Sequence, residues 1–315
     1  MEIIQHPTVD VVIPTYKRPK ERDQQNYMLR DALNSVFQQS YPVNKVFVVV
    51  DGRSKIAKEI VADFHKDRIR IIESIEKNGG GSARNLGIRA SKADFVAFLD
   101  DDDLWDKNKI EKQLTVLKDY SPNDLVFSFT QVKSEENNHY DLLPASGPQK
   151  DWSFAEYIFL HNGYMTTSTI MSSRGLLAKN MFTEKLPKHQ DWDWLFKADF
   201  FCHAKAVYIG QPLTIYRTQY AGRSMSVSQR NTWRYSHEWM LRYQKYLSKE
   251  VAASFDRGNV INGLLDDHSM NKLKKIWILR HILLDFPDKE RRSEWKKHIL
   301  PFIIAQLKGR FHATK

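Results

Sequence analysis

Five short runs rich in β-branched residues punctuate the first part of the chain: Val9 to Ile13, Val46 to Val50, Ile69 to Ile72, Phe95 to Leu99 and Leu125 to Phe129. Between them the apolar residues fall at helical spacing, as with Leu29, Leu33, Val36 and Phe37, and then Ile56, Ile60, Val61 and Phe64. A strand period that gives way to a helical period and back again predicts βαβ units, hence a mostly parallel sheet flanked by helices. Asn78-Gly79-Gly80-Gly81-Ser82 reads as a flexible approach to a helix over Ala83 to Ala90, with Ser82 as its N-cap.

After Asp141 come turn residues (Pro144, Gly147, Pro148) and then an aromatic stretch with Trp152, Phe154, Tyr157, Phe159 and Tyr164. This predicts a second half built onto the same sheet. Beyond Asn231 the pattern is helical, with one apolar stripe at Ile276, Leu279, Ile282, Leu283 and Phe286 and another at Ile299, Phe302, Ile303 and Leu307. The expected division is a catalytic α/β domain over residues 1–230 and a basic helical appendage over 231–315. The formal net charge is +10, and residues 271–315 carry a net +8 of it, so the basicity is local. One cysteine, Cys202, excludes an internal disulfide and any zinc site built on two or more cysteines. No signal peptide is visible at the N-terminus, and no apolar run approaches the roughly 20 residues of a spanning helix, which together predict a cytoplasmic chain.

The strongest chemical feature is Asp100-Asp101-Asp102-Asp103, four acids in succession at the end of an apolar strand. Open α/β sheets bind ligands beyond the C-terminal ends of their strands. Adjacent carboxylates repel one another and persist most easily where a cation neutralises them, and oxygen ligands suit Mg²⁺, Mn²⁺ or Ca²⁺. A solvated acidic turn is the plainer alternative. An EF-hand loop starting at Asp100 fails, because its sixth position is Trp105 where glycine is needed and its fifth is Leu104, which has no side-chain oxygen.

The glycine run does not make a dinucleotide fingerprint, since Arg84 stands where the last glycine should be and the segment does not follow the first strand. Neither a Walker lysine nor a hydrolase elbow is present. What remains is a stretch whose backbone can approach a ligand, a helix N-terminus, and an arginine suited to phosphate or a polar base edge.

In order along the chain stand Val11-Val12-Ile13-Pro14-Thr15-Tyr16-Lys17-Arg18, Val48-Val49-Val50-Asp51-Gly52, Ala83-Arg84-Asn85-x-Gly87, Phe98-Leu99-Asp100-x-Asp102-Asp103-x-Trp105, Phe182-x-Glu184-x-Leu186, Gln190-Asp191-Trp192-Asp193-x-Leu195 and Tyr216-Arg217. This series resembles the inverting glycosyltransferase family 2 of GT-A fold, a Rossmann-like nucleotide-diphospho-sugar transferase architecture. The resemblance spans roughly Val9 to Ser226. It implies that Thr15 and Tyr16 border the nucleotide, that Asp51 receives hydrogen bonds from a uracil-type base, that Arg84 lies at the base or diphosphate, and that Asp100 sits at the ribose. Asp102 would hold a divalent cation, Mn²⁺ or Mg²⁺, that bridges the diphosphate of the leaving group. Asp191 would be the general base that takes the proton from the acceptor hydroxyl; as the plainer alternative it caps the helix beginning near Trp192.

Three positions differ from the family's usual pattern: Gln190 replaces a glutamate, Asp51 stands without a second acid, and Gln219 occupies a place often held by histidine. His189 and His203 flank the catalytic segment, as acceptor contacts or as packing residues. His161 to Tyr164 and Thr166 to Thr169 fall where the family shapes its acceptor side.

The activity the resemblance implies is metal-dependent, inverting transfer of a sugar from a nucleotide sugar, a UDP-sugar, to a glycan hydroxyl in bacterial capsule, lipopolysaccharide or other surface-polysaccharide synthesis. The composition of residues 271–315 suits an anionic membrane surface, with a lipid-linked acceptor and a peripheral position on the inner face of the cell membrane. Alternatively the tail's stripes pack inward and its lysines solvate the outside. Two other classes stay open: a catalytically silent nucleotide-sugar-binding module, and a basic scaffold for membrane or nucleic acid. No nucleic-acid-binding signature accompanies the charge, so no nucleic-acid partner is expected.

Overall fold

A computed structural model describes residues 6–16, 22–64, 67–136, 139–217, 219–220, 223–224, 232–301 and 304. The chain divides into two compact units, Met1–Phe154 with Asn162–Ser226, and Ala155–His161 with Val227–Lys315.

The first unit is built on one mixed sheet. Strands β1 (Val9–Thr15), β2 (Lys45–Val50), β3 (Ile69–Glu73) and β4 (Phe95–Phe98) run parallel, and helices α1 (Arg22–Phe37), α2 (Lys55–Ala62) and α3 (Gly79–Ala90) form the connections between them. All seven residues of β1 are buried, as a parallel strand covered on both faces requires. Beyond β4 the sheet continues through β8 (Met171–Ser173), β6 (Val126–Glu136), β9 (Lys205–Arg217) and the short β5 (Leu104–Trp105), with β7 (His139–Leu143) hairpinned onto β6. The β4–β8, β8–β6 and β9–β5 pairs are antiparallel. Strands β6 and β9 pair in parallel, with a register shift near Gln131. The predicted mixed α/β architecture is therefore present, and the segments after Asp141 do extend the same sheet.

One boundary needs correction. Helix α3 starts at Gly79, not after Ser82, and its cap position is Asn78. Ser82 sits inside the first turns and donates its hydroxyl back to the Asn78 carbonyl at 3.0 Å. Two glycines of this helix sit where nothing larger fits: a Cβ on Gly81 would stand 2.8 Å from the Thr183 carbonyl oxygen, and one on Gly87 would stand 2.5 Å from Val12. Asn85 fastens the same helix to the segment before α7 (Gln190–Phe200), donating to the Phe182 carbonyl at 2.9 Å and accepting the Phe182 N–H at 2.9 Å.

The second unit is helical. Helix α5 (Phe154–Leu160) contributes to it, and α8 (Trp233–Leu241), α9 (Lys249–Asp256), α10 (Asn262–Leu265), α11 (Lys272–Leu284) and α12 (Asp288–Glu294) make up most of the rest. Ser248 caps α9 and Asn271 caps α11, each accepting a backbone N–H with its side chain. Trp239 packs on Phe255 at 5.7 Å and Phe159 meets Phe255 edge-on at 5.4 Å. The stripe read from sequence at Leu279, Ile282, Leu283 and Phe286 is buried, and so is Ile299; Phe302, Ile303 and Leu307 lie outside the described residues. Among the described residues no helix is long and apolar enough to cross a membrane.

Candidate active site

Parallel pairing brings the ends of β1, β2 and β4 side by side, so Thr15, Asp51 and the four acids meet along one edge of the sheet. This is the edge where the peptide groups and helix N-termini of an α/β sheet converge on ligands.

Asp51 acts here as an organiser of the glycine loop. Its two carboxylate oxygens accept the backbone N–H groups of Asn78 at 2.7 Å and Gly79 at 3.0 Å, replacing the cap that Asn78's own side chain does not supply. Gly52 and Gly79 both have positive φ, +100° and +85°, so the turn that brings the loop to Asp51 needs glycine at each. Tyr16 is exposed at the strand end, and the Lys77 ammonium lies 5.9 Å above its ring. Thr15 is buried, and its hydroxyl donates to Asp101 at 2.5 Å.

The four acids divide into two kinds. Asp101 is tied to β1 through Thr15, whereas Asp100, Asp102 and Asp103 each offer an oxygen within 4.8 Å of the others. Asp103 is buried and accepts the Ser168 hydroxyl at 2.5 Å and, at 3.4 Å, the Arg217 N–H. Burial first, then the charges of Asp102 and Asp100, push its carboxyl well above the ordinary range. Such a trio matches the oxygen donor set of a hard divalent cation, whose charge would offset the repulsion.

Arg84 stands behind the trio, only 5% exposed. It is ion-paired with Asp100, donates to the Thr167 hydroxyl at 2.9 Å and to the Gln190 amide oxygen at 3.1 Å, and lies 5.4 Å over the Phe182 ring. Burial opposes its charge, but the carboxylates of Asp100, Asp191 and Asp102 outweigh that and hold its pKa above the ordinary value. Its Nε and the Thr166 hydroxyl are buried without a hydrogen-bond partner among the described residues. Gln190, the residue in place of glutamate, uses both ends of its amide, since its nitrogen donates to the Leu186 carbonyl at 2.8 Å.

Asp191 lies in the first turn of α7, but the cap position belongs to His189, at φ +64° and with no side-chain cap bond. Capping therefore does not account for Asp191. Its carboxylate instead accepts the Thr167 N–H at 3.4 Å, across from α7. Burial, reinforced by Asp100 and opposed by Arg84 and by that N–H, pushes its pKa up to about 6. The neighbouring acid Asp193 has a structural environment, buried and bonded to the Thr183 hydroxyl at 2.5 Å and to Lys197 at 3.5 Å.

A three-residue 3-10 turn, Thr167–Thr169, joins these groups. Thr167 holds Asp191 through its N–H and Asp100 through its hydroxyl at 3.3 Å, and Ser168 holds Asp103 through its hydroxyl while accepting the Asp100 N–H at 3.0 Å. The structure thus brings together Thr15, Asp51, Arg84, Asp100, Asp102 and Asp191. Two tyrosines join them that the sequence offered only within longer segments, Tyr164 on the acceptor side and Tyr216 in the Tyr216-Arg217 motif: they meet edge-on at 6.3 Å, and burial together with the nearby acids raises both phenols. Arg217 adds a bond from Nε to the Asp102 carbonyl at 2.7 Å and an ion pair with Asp31 at 3.2 Å. Tyr216-Arg217 was visible as a motif; that β9 delivers it to the acids requires the β6–β9 and β5–β9 pairings.

The two histidines separate. His189 is buried, stacked on Trp192 at 4.9 Å, and its pKa is lowered to about 3, mainly by burial and also by Lys188, so its imidazole is neutral. His203 is exposed at the other end of α7, roughly 16 Å along an 11-residue helix. The Gln219 side chain lies outside the described residues.

The fold is the mixed α/β architecture of GT-A glycosyltransferases, and the chain matches glycosyl transferase family 2 over residues 10–179, more than half its length; it belongs to that family. It is 26% identical over 315 residues to the amylovoran biosynthesis glycosyltransferase AmsB of Erwinia amylovora, covering 95% of this chain and 98% of that one. It is 34% identical over 126 residues to the putative teichuronic acid biosynthesis glycosyltransferase TuaG of Bacillus subtilis, covering 39% of this chain and 46% of TuaG. The fold is that of S. aureus TarS, solved in complex with UDP-GlcNAc, with a TM-score of 0.63 at 17% identity over 90% of this chain and 82% of that one. GalNAc-T7, solved with UDP, GalNAc and Mn²⁺, shares it at a TM-score of 0.54 and 12% identity, over 78% of this chain and 50% of that one.

Proposed function

We propose that the chain is an inverting, metal-dependent glycosyltransferase that moves a sugar from a UDP-sugar to a glycan hydroxyl in bacterial surface-polysaccharide synthesis. The observation that carries this reading is the convergence of Asp191, Arg84, Asp100 and Asp103 on one three-residue turn, with Asp102 grouped beside Asp100 and Asp103. It places a partly buried carboxylate with a pKa of about 6 beside a cluster suited to a cation and a diphosphate. AmsB and TuaG supply the polysaccharide setting, and TarS and GalNAc-T7 the uridine nucleotide.

In this reading Asp102, with Asp100 and Asp103, holds Mn²⁺ or Mg²⁺, which when bound supplies electrostatic stabilisation to the departing diphosphate. Asp51 fixes the glycine loop so that its backbone and Tyr16 border the nucleotide, with the remaining lone pairs of Asp51 available to the base. Arg84 keeps Asp100 in place, and its Nε–H, without a partner among the described residues, is available to donor oxygens. Asp191, ionised above about pH 6, takes the acceptor hydroxyl's proton as that oxygen attacks the anomeric carbon from the face opposite the diphosphate. The catalytic machinery belongs to residues 1–230, residues 231–315 are accessory, and the enzyme works at the inner face of the cell membrane on a lipid-linked glycan.

A thermal-shift panel of UDP, GDP, CDP and dTDP, each with Mn²⁺ and with EDTA, tests the donor half. A nucleotide at 100 times its dissociation constant adds about 2.7 kcal/mol of stability. The expected result is stabilisation by UDP that needs the metal and disappears in Asp102→Ala; no response to any of the four would overturn the assignment.

A further inference from the structure

Helix α11 is apolar on two sides. Leu279, Ile282 and Leu283 are buried in the helical unit, whereas Leu273, Trp277 and Leu284 are 69%, 63% and 54% exposed. At about 100° per residue the three exposed side chains fall within about 40° of one another, a narrow outward stripe that the inward one does not share. A helix with a second apolar face in water calls for a partner on that face.

The chemistry around the stripe indicates which partner. Helix α11 has four cations and no acid; Lys274 and Arg280 flank the stripe, whereas Lys275 turns inward to the Leu265 carbonyl. A shallow cavity of about 510 Å³ in the same unit is lined by Asp288, Lys289, Arg292, Ser293 and Lys296, so three cations face one carboxylate there, and Asp288 is already ion-paired with Arg291. Lys296 and Lys297 lie beside Trp295, itself 37% exposed. A second copy of this chain would bring like charges together across a two-fold contact. An anionic lipid surface meets both needs, since tryptophan and leucine enter the headgroup boundary while lysine and arginine remain at the phosphates.

We propose that the outward face of α11, with the cationic groove of α12, docks on an anionic phospholipid bilayer through Leu273, Trp277 and Leu284. The proposal narrows the membrane position given under the proposed function to one helix face and rests on that part of it, but not on the donor's being a UDP-sugar.

Vesicle co-sedimentation of the full chain tests it, with phosphatidylcholine alone and with phosphatidylcholine mixed with phosphatidylglycerol. The wild type is expected on the anionic vesicles, with binding that weakens as salt rises. The variant L273S/W277S/L284S should bind at least about tenfold more weakly. K289Q/R292Q/K296Q should also bind more weakly and lose part of the salt dependence, which keeps the test informative if the first variant folds poorly. Nucleotide-dependent stabilisation, read separately, should be the same in both variants as in the wild type. Failure of the wild type to bind anionic vesicles, or equal binding by both variants, overturns the proposal. A wild-type dimer that the serine variant dissociates, with no vesicle binding, would make a second copy the occupant.

Discussion

At the edge of the sheet this chain buries charge, and on α11 it exposes apolar surface. Arg84, Asp101 and Asp103 are each at most 5% exposed and each held by named partners, while Leu273 and Trp277 are more than half exposed with cations around them. The first region spends stability on carboxylates confined together, as expected where a ligand is meant to relieve them. The second leaves its solvent-facing stripe out of the core altogether. The two regions should therefore respond in opposite ways to substitution: conservative changes at the sheet edge should alter activity and pH behaviour, and on α11 only the inward face should matter for stability.

The largest expected effect separates chemistry from folding. Asp191→Asn should lower turnover by about 10² to 10⁴, the usual contribution of a general base, with donor binding retained; initial rates and a nucleotide-binding isotherm on the same preparation check both halves. Retained turnover would remove Asp191 from the reaction. A loss of donor binding along with it would instead make the residue part of the donor pocket.

Leu279→Ala comes next. The side chain is fully buried, so truncation should cost about 2 to 5 kcal/mol in urea unfolding, from lost transfer energy and the cavity left behind.

A smaller effect has the opposite sign. Because the pKa of Asp191 is about 6 when folded and roughly 3.9 when unfolded, protonation favours the folded state. That contribution is fully present below the unfolded value and is lost as pH rises through the folded one. At pH 8 Asp191→Asn should thus be more stable than the wild type by on the order of 3 kcal/mol, and the difference should vanish near pH 4. In the wild type, kcat/KM should fall on the acid side with an apparent pKa near 6. An inactive variant that melts later than the wild type at high pH would locate the cost of the site in one carboxylate. Smallest of all, Trp277→Ser should change unfolding stability by no more than about 0.5 kcal/mol, as at other surface positions, and a larger loss would show that the outward stripe packs on something.

Much of this was legible in the sequence where a single segment carries the signal. The runs at Val9, Val46, Ile69 and Phe95 became β1 to β4 because β-branched residues in short apolar stretches have few other stable uses. The four acids were legible as a site for the same reason, being costly anywhere else. Legibility ended where the deciding interaction joins distant segments. Ser82 looks like a helix cap, but Asp51, on another strand, captures the N–H groups that set where α3 begins. Asp191 reads equally as a cap until Thr167 is seen to bind it. Tyr164 and Tyr216 reach the acids only through the folding of the second half of the sheet. On α11, periodicity finds apolar residues on both sides and cannot say which side the rest of the unit covers.

The turn at Thr167–Thr169 has an evolutionary consequence. It grips Asp191 with one residue and the acid run with that residue and the next, and its partner Asp103 is 65 positions away from Ser168. A longer or shorter turn would displace both carboxylate sites together, so neither can be retuned alone by changing its length. Chimaeras that take this turn from a relative must take the four-acid run with it.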